Sequence, residues 1–175
     1  RVVFINGTGG APELATPEYF RELGGIPSEG PDATDVPGAV GGIDLALTTF
    51  GSMSYAEVLA PAIRAAREGH PLDFWASGYH QRAVSKTSPY PSSVSVLMPE
   101  GHPLDRGDVF VQADLAKSME MIAEDGADVF YRGEIARRID DFYEEMGGRL
   151  RYEDLDAYEA ELSEPIMTRY GDLEV

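Results

Sequence analysis

The sequence predicts a helix-rich α+β fold, and three observations carry that prediction. Apolar residues recur at helical spacing in several segments, most of them opened by a cap and closed by glycine. Runs of β-branched and aromatic residues are few and short, as in 1–6. The chain has 175 residues, 43% hydrophobic and 26% charged, which is enough to bury a core and unlike a disordered composition.

The elements follow in order. Arg1 to Asn6, RVVFIN, reads as a short strand. Gly7 to Pro12 is a tight loop. Thr16, Pro17 and Glu18 supply an N-cap, a first-turn proline and a first-turn acid for a helix to Leu23, stopped by Gly24-Gly25. Val36 to Gly42 is a run of small residues that permits close backbone packing before a helix over Ile43 to Phe50. Ser54 with Glu57 three residues on is a capping box, and Val58, Leu59, Ala62, Ile63 and Ala66 continue at helical spacing. Pro61 is expected to kink that helix or reset its start.

Residues 72–99 read as irregular, a loop region with SVSVLM as one possible strand. Helical spacing returns from Gln112, with Leu115, Met119, Ile122 and Ala123 on one face and Gly126 at the end. Asp128 to Phe142 is helical with a break at Gly133, and Gly147-Gly148 closes it. Arg151 to Tyr158 is a short acidic helix, and Pro165 to Val175 two short strands around Gly171. Strand-like residues at both ends leave edges unpaired, so 1–175 is expected to be a single incomplete domain, a piece of something longer.

Charge excludes some functions. Asp plus Glu number 31 against 14 Lys plus Arg, a formal charge of −17. Such a surface repels nucleic-acid phosphates and anionic lipid, so neither nucleic acid nor membrane is an expected partner. No apolar run approaches the roughly 20 residues of a membrane helix. No charged-then-apolar leader is present, so a signal peptide is expected to be absent or removed, and a cytoplasmic or exported location fits equally. Lys86 and Lys117 are the only lysines; acid excess with scarce lysine fits a high-salt cytoplasm and a GC-rich genome equally well. With no cysteine there is no disulfide, thiol nucleophile or thiolate metal site.

Spacing alone yields no active site. Gly7-Thr8-Gly9-Gly10 follows a strand, but Ala11-Pro12 stands where a nucleotide-binding loop needs its helix. Thr48 and Thr49 sit at a helix end with no base in the pattern. His70, His80 and His102 lack the spacing of a helical zinc site and are expected in loops. No catalytic residue, metal ligand or cofactor is assigned. Tyr152, Tyr158 and Tyr170 read as core-edge residues.

Several blocks in order carry a resemblance. They are Val36-Pro-Gly-Ala-Val-Gly-Gly, Phe50-Gly-Ser-Met, Leu59-Ala-Pro-Ala-Ile and Val111-Gln-Ala-Asp-Leu-Ala-Lys-Ser. Ile122-Ala-Glu-Asp-Gly, Phe130-Tyr-Arg-Gly-Glu-Ile-Ala, Glu153-Asp-Leu and Ala157-Tyr follow. Together they resemble the central part of the large subunit of the gamma-glutamyltransferase (gamma-glutamyltranspeptidase) family. The resemblance implies a fragment of an N-terminal-nucleophile hydrolase, a sandwich of two sheets between helical layers. It implies a precursor that cleaves itself, with the nucleophile a threonine at the start of a small subunit outside this chain. The expected partners are the rest of that precursor and a small γ-glutamyl or other amide substrate.

Family members that act on glutathione carry an Arg-Glu pair shortly before Ala-Pro, and that arginine grips the substrate α-carboxylate. Here the arginine position falls on Thr8, which cannot form a bidentate ion pair. The loop resembles the gamma-glutamyltransferase-like branch. Asn6, Thr8, Gly9 and Gly10 are the candidate substrate-binding residues. The expected function is hydrolysis or transfer of a γ-glutamyl or related acyl group from an amide such as glutathione. The alternatives are an amide acylase with a non-glutathione substrate and a non-catalytic acidic binding domain.

Overall fold

The structure, a computed structural model, describes residues 2–174; Arg1 and Val175, expected in the first strand and the last strand-like run, lie outside them. In chain order the elements are β1 (Phe4–Asn6), α1 (Pro17–Leu23), a 3-10 turn (Pro31–Ala33), α2 (Ala39–Phe50) and α3 (Tyr55–Glu68). Then come β2 (His70–Pro71), α4 (Phe74–Thr87), α5 (Pro91–Leu97), β3 (Val109–Phe110) and α6 (Ala113–Asp125). The chain ends with α7 (Asp128–Tyr131), α8 (Glu134–Glu145), α9 (Tyr152–Asp156), β4 (Glu161–Ser163), β5 (Arg169–Tyr170) and β6 (Leu173–Glu174). This is the helix-rich α+β class expected. By its internal contacts the chain divides into two units, one of residues 1–53 with 126–175, the other of residues 54–125.

In the first unit, the Thr16 hydroxyl accepts from the Tyr19 amide at 3.2 Å and starts α1, which Gly24 ends in the left-handed region at φ 91°. The core is Val36, Tyr131, Ala136, Leu150 and Leu155, all buried, with Phe130, Ile139, Tyr143, Tyr152 and Tyr158 packed against it. Tyr170, expected at a core edge, is 80% exposed. α2 begins at Ala39, four residues before the expected Ile43, because Gly41 and Gly42 are taken into its first turn. A side chain at Gly41 would stand 2.8 Å from the Tyr158 ring, so the small-residue run is a packing surface as well as a helix start. Gly133 separates α7 from α8, as expected.

β1 pairs antiparallel with β4, a pairing that no local pattern in the sequence marks: Phe4 faces Ser163, Ile5 faces Leu162 and Asn6 faces Glu161. This register brings the loop after β1 beside residues 157–161. β5 and β6 form the expected hairpin, turning at Gly171.

In the second unit, α3 packs along α6, burying Ala66, Ala116 and Ile122. The Ser54 hydroxyl accepts from the Glu57 amide and the Glu57 carboxylate accepts from the Ser54 amide at 2.8 Å, completing the capping box. α3 runs from Tyr55 through Pro61 without restarting there, which corrects the expected reset. β2 pairs with β3, placing His70 opposite Phe110.

Most of 72–99, expected to be irregular, is helical. Asp73 accepts from the Ala76 amide at 2.7 Å and starts α4, and Pro91 occupies the first turn of α5. SVSVLM therefore continues a helix and is not a strand. Phe74, Trp75 and Tyr79 are exposed on α4.

Candidate functional site

The site is built on the loop after β1. Asn6 is the last residue of that strand, and its side-chain oxygen accepts from the Thr8 amide at 3.1 Å, bending the chain immediately. Gly9 lies against the backbone of Val36, where a methyl group would stand 1.8 Å from the Val36 carbonyl oxygen. The Val36 amide donates to the Gly10 carbonyl at 2.9 Å. Backbone on backbone, with no side chain between, fixes the height of the loop.

Beside it an open cleft of about 480 Å³ is lined by Asn6, Thr8 and Gly10 together with Tyr158. Gly9 is not among its lining residues. Of the four sequence candidates the structure thus brings three to one cavity and uses the fourth to seat the loop.

The same cleft is lined by five acidic residues, Glu13, Glu153, Asp154, Glu159 and Glu161, and among the described residues by no lysine or arginine. Asp154 is committed to structure: one oxygen accepts from the Glu13 amide at 2.7 Å, the other from the Arg151 amide at 2.9 Å. It ties the residue after Ala11-Pro12 to the start of α9. Glu153-Asp154-Leu155 and Ala157-Tyr158 both belong to the family resemblance, so the sequence does mark these residues. What was hidden is the pairing of β1 with β4 that carries them 150 residues back to the glycine loop.

Tyr158 closes the cleft. Burial, and then the Glu161 carboxylate, push its hydroxyl above the ordinary tyrosine value of 10.0. Its ring stacks on Tyr131 at 5.0 Å and 19°. Burial pushes the Tyr131 hydroxyl up to about 12, against the opposing pull of its bond from the Gly41 amide. Both phenols therefore stay protonated at neutral pH and can donate.

The other candidates stay apart from this site. The Thr48 hydroxyl donates back to the Asp44 carbonyl at 2.7 Å inside α2. Thr49 lines a separate cavity of about 600 Å³ with Val3, Phe50 and Leu162. His102 lies in a loop, but His70 is in β2 and His80 in α4, correcting the expectation for those two. The Phe110 ring contacts both, at 6.0 Å from His70 and 4.7 Å from His80. Among the described residues no group of three metal-ligating side chains occurs, and no helix is long and apolar enough to cross a membrane.

Comparison with known proteins gives one consistent result. The family model described as Gamma-glutamyltranspeptidase matches residues 1–175. The glutathione hydrolase proenzyme of Escherichia coli is 37% identical over 171 residues, covering 94% of this chain and 30% of that protein. The crystal structure of Helicobacter pylori gamma-glutamyltranspeptidase superposes with a TM-score of 0.94 at 29% identity, over 99% of this chain and 51% of that one. The cephalosporin acylase of Bacillus halodurans superposes with a TM-score of 0.95 at 32% identity, over 99% of this chain and 34% of that one. The chain spans less than a third of the length of the first curated relatives it matches.

Proposed function

The chain belongs to the gamma-glutamyltranspeptidase family, and we propose that it forms part of an enzyme that hydrolyses or transfers a γ-glutamyl or related acyl group from an amide. The observation that carries this reading is the family match over all 175 residues. The nucleophile in this proposal is an N-terminal threonine outside the chain, freed by cleavage of a precursor. It attacks the amide carbonyl and expels the amine, and the acyl-enzyme passes its acyl group to water or to a second amine. The rest of the precursor is the partner of this chain, and a small amide is the substrate.

The role of this chain is to supply one wall of the substrate pocket. Asn6, Thr8 and Gly10 offer a hydroxyl and backbone groups to the substrate, and Gly9 holds them in place. The acidic residues lining the same cleft suit an ammonium group, such as the α-ammonium of a γ-glutamyl donor, and oppose a substrate carboxylate.

That charge pattern favours a second reading, an acylase for amides that lack an α-carboxylate. Thr8 stands where relatives that use glutathione carry an arginine, and among the described residues no lysine or arginine lines this cleft. Assaying the full natural protein with glutathione, a γ-glutamyl anilide and a simple N-acyl amide separates the two. Turnover of γ-glutamyl donors supports the first reading. Turnover of the N-acyl amide alone supports the second. No amide turnover under any condition contradicts both.

A further inference from the structure

Tyr131, at the end of α7, is 2% exposed. Its hydroxyl makes two hydrogen bonds to one stretch of backbone about ninety residues earlier. It donates to the Pro37 carbonyl at 2.7 Å and accepts from the Gly41 amide at 2.9 Å. Gly41 is the third residue of α2, so its N–H is one of the amides that a helix start leaves unbonded. Gly38, at the cap position, has no side chain to satisfy it. A phenol from a distant helix does the work of the missing cap.

The same stretch seats the glycine loop on its other side. A methyl on Gly38 would stand 2.0 Å from the Gly7 carbonyl oxygen. The Val36 amide holds the Gly10 carbonyl, and Gly9 rests on the Val36 carbonyl. Tyr158, stacked on Tyr131, reaches the Gly38 carbonyl at 3.4 Å and lines the cleft itself. Residues 36–42 are thus a backbone layer with Tyr131 behind and the candidate substrate loop in front.

We propose that Tyr131 is a positioning residue for substrate binding: through Pro37 and Gly41 it sets the height of the loop Asn6–Gly10 without touching the substrate. This rests on the reading that the loop contacts substrate in an amide hydrolase or acyltransferase. The test is Tyr131→Phe in the full natural protein, which keeps the ring stack and deletes the phenol oxygen. KM for the best amide substrate is expected to rise about fivefold to tenfold with kcat within about twofold, as for a lost binding contact rather than lost chemistry. Unchanged KM with a lowered unfolding temperature overturns the proposal, since Tyr131 would then serve stability alone.

If that variant fails to fold, hydrogen exchange in the wild-type protein tests the same coupling: the Gly41 and Val36 amides should open together, with protection within about tenfold of each other, and a Val36 amide that exchanges independently of Gly41 overturns the proposal. If the wild-type protein turns over no amide, the functional reading fails and the positioning claim is judged by hydrogen exchange. Tyr131→Phe should then speed exchange of the Val36 amide, which bonds Gly10, by about tenfold. Unchanged exchange there overturns it.

Discussion

Gly38 and Gly7 meet backbone to backbone: a methyl group on Gly38 would lie 2.0 Å from the Gly7 carbonyl oxygen and 2.5 Å from the Tyr158 hydroxyl. The contact joins the start of α2 to the loop that follows β1, so the position of that loop depends on Gly38 having no side chain.

Gly38→Ala should therefore destabilise the first unit by about 1–3 kcal/mol, the usual effect of overfilling a packed contact. Gly10→Ala is the control. Its added methyl meets nothing within 4 Å, so its stability change should stay within about 0.5 kcal/mol. Denaturant unfolding of both variants measures the difference, and equal effects would show that the close approach is not what constrains the loop.

Thr8→Arg should shift preference toward donors bearing an α-carboxylate. The arginine can form a two-pronged ion pair that threonine cannot, and a charge-assisted bond of this kind raises kcat/KM about tenfold. The ratio of γ-glutamyl to simple N-acyl turnover reads it directly. A ratio that does not move would place the carboxylate of the substrate away from residue 8.

Alkaline pH should loosen the first unit through Tyr131. Its hydroxyl titrates at about 12 in the folded chain against 10.0 ordinarily, so the folded state holds the proton more tightly. The resulting stability is complete below pH 10 and is lost as pH rises from 10 toward 12. Tyr158, shifted the same way, adds to the effect. Unfolding temperatures between pH 8 and 11 should fall less steeply in Tyr131→Phe than in the wild type.

Acid should act on the second unit through His80. Burial first, and then repulsion from His70, hold its pKa below 6.5, and its Nδ1 is buried with no hydrogen-bond partner. As pH falls below 6.5 the unfolded chain takes up a proton that the folded one resists, so stability drops on the acid side and is unaffected well above it. His80→Phe should flatten the unfolding temperature between pH 7.5 and 5. An unchanged acid slope would assign that slope to the carboxylates.

How much of this was legible in the sequence follows from which residues carry each feature. Thr16-Pro17-Glu18, the pair Ser54 and Glu57, and the break at Gly133 act within a few residues of themselves, and all appear in the fold where the sequence put them. α4 and α5 are hard to read because Gly78 interrupts the Trp75, Tyr79, Ala83 spacing, Pro89 and Pro91 punctuate the stretch, and Val94 and Val96 read as strand. β4 was hidden because Glu161, Leu162 and Ser163 are all exposed and become a strand only by pairing with β1. The site divides along the same line. Asn6, Thr8 and Gly10 stand out as a glycine loop after a strand. Tyr158 and the acidic lining reach the cleft through a pairing across about 150 residues, which no local pattern encodes.

Intact mass and N-terminal sequencing of every polypeptide in the purified natural protein test whether this chain serves an amide-cleaving enzyme matured by its own cleavage. Two polypeptides are expected, one containing residues 1–175 and a smaller one that begins with threonine. A single uncleaved polypeptide that nevertheless turns over the amide would contradict it.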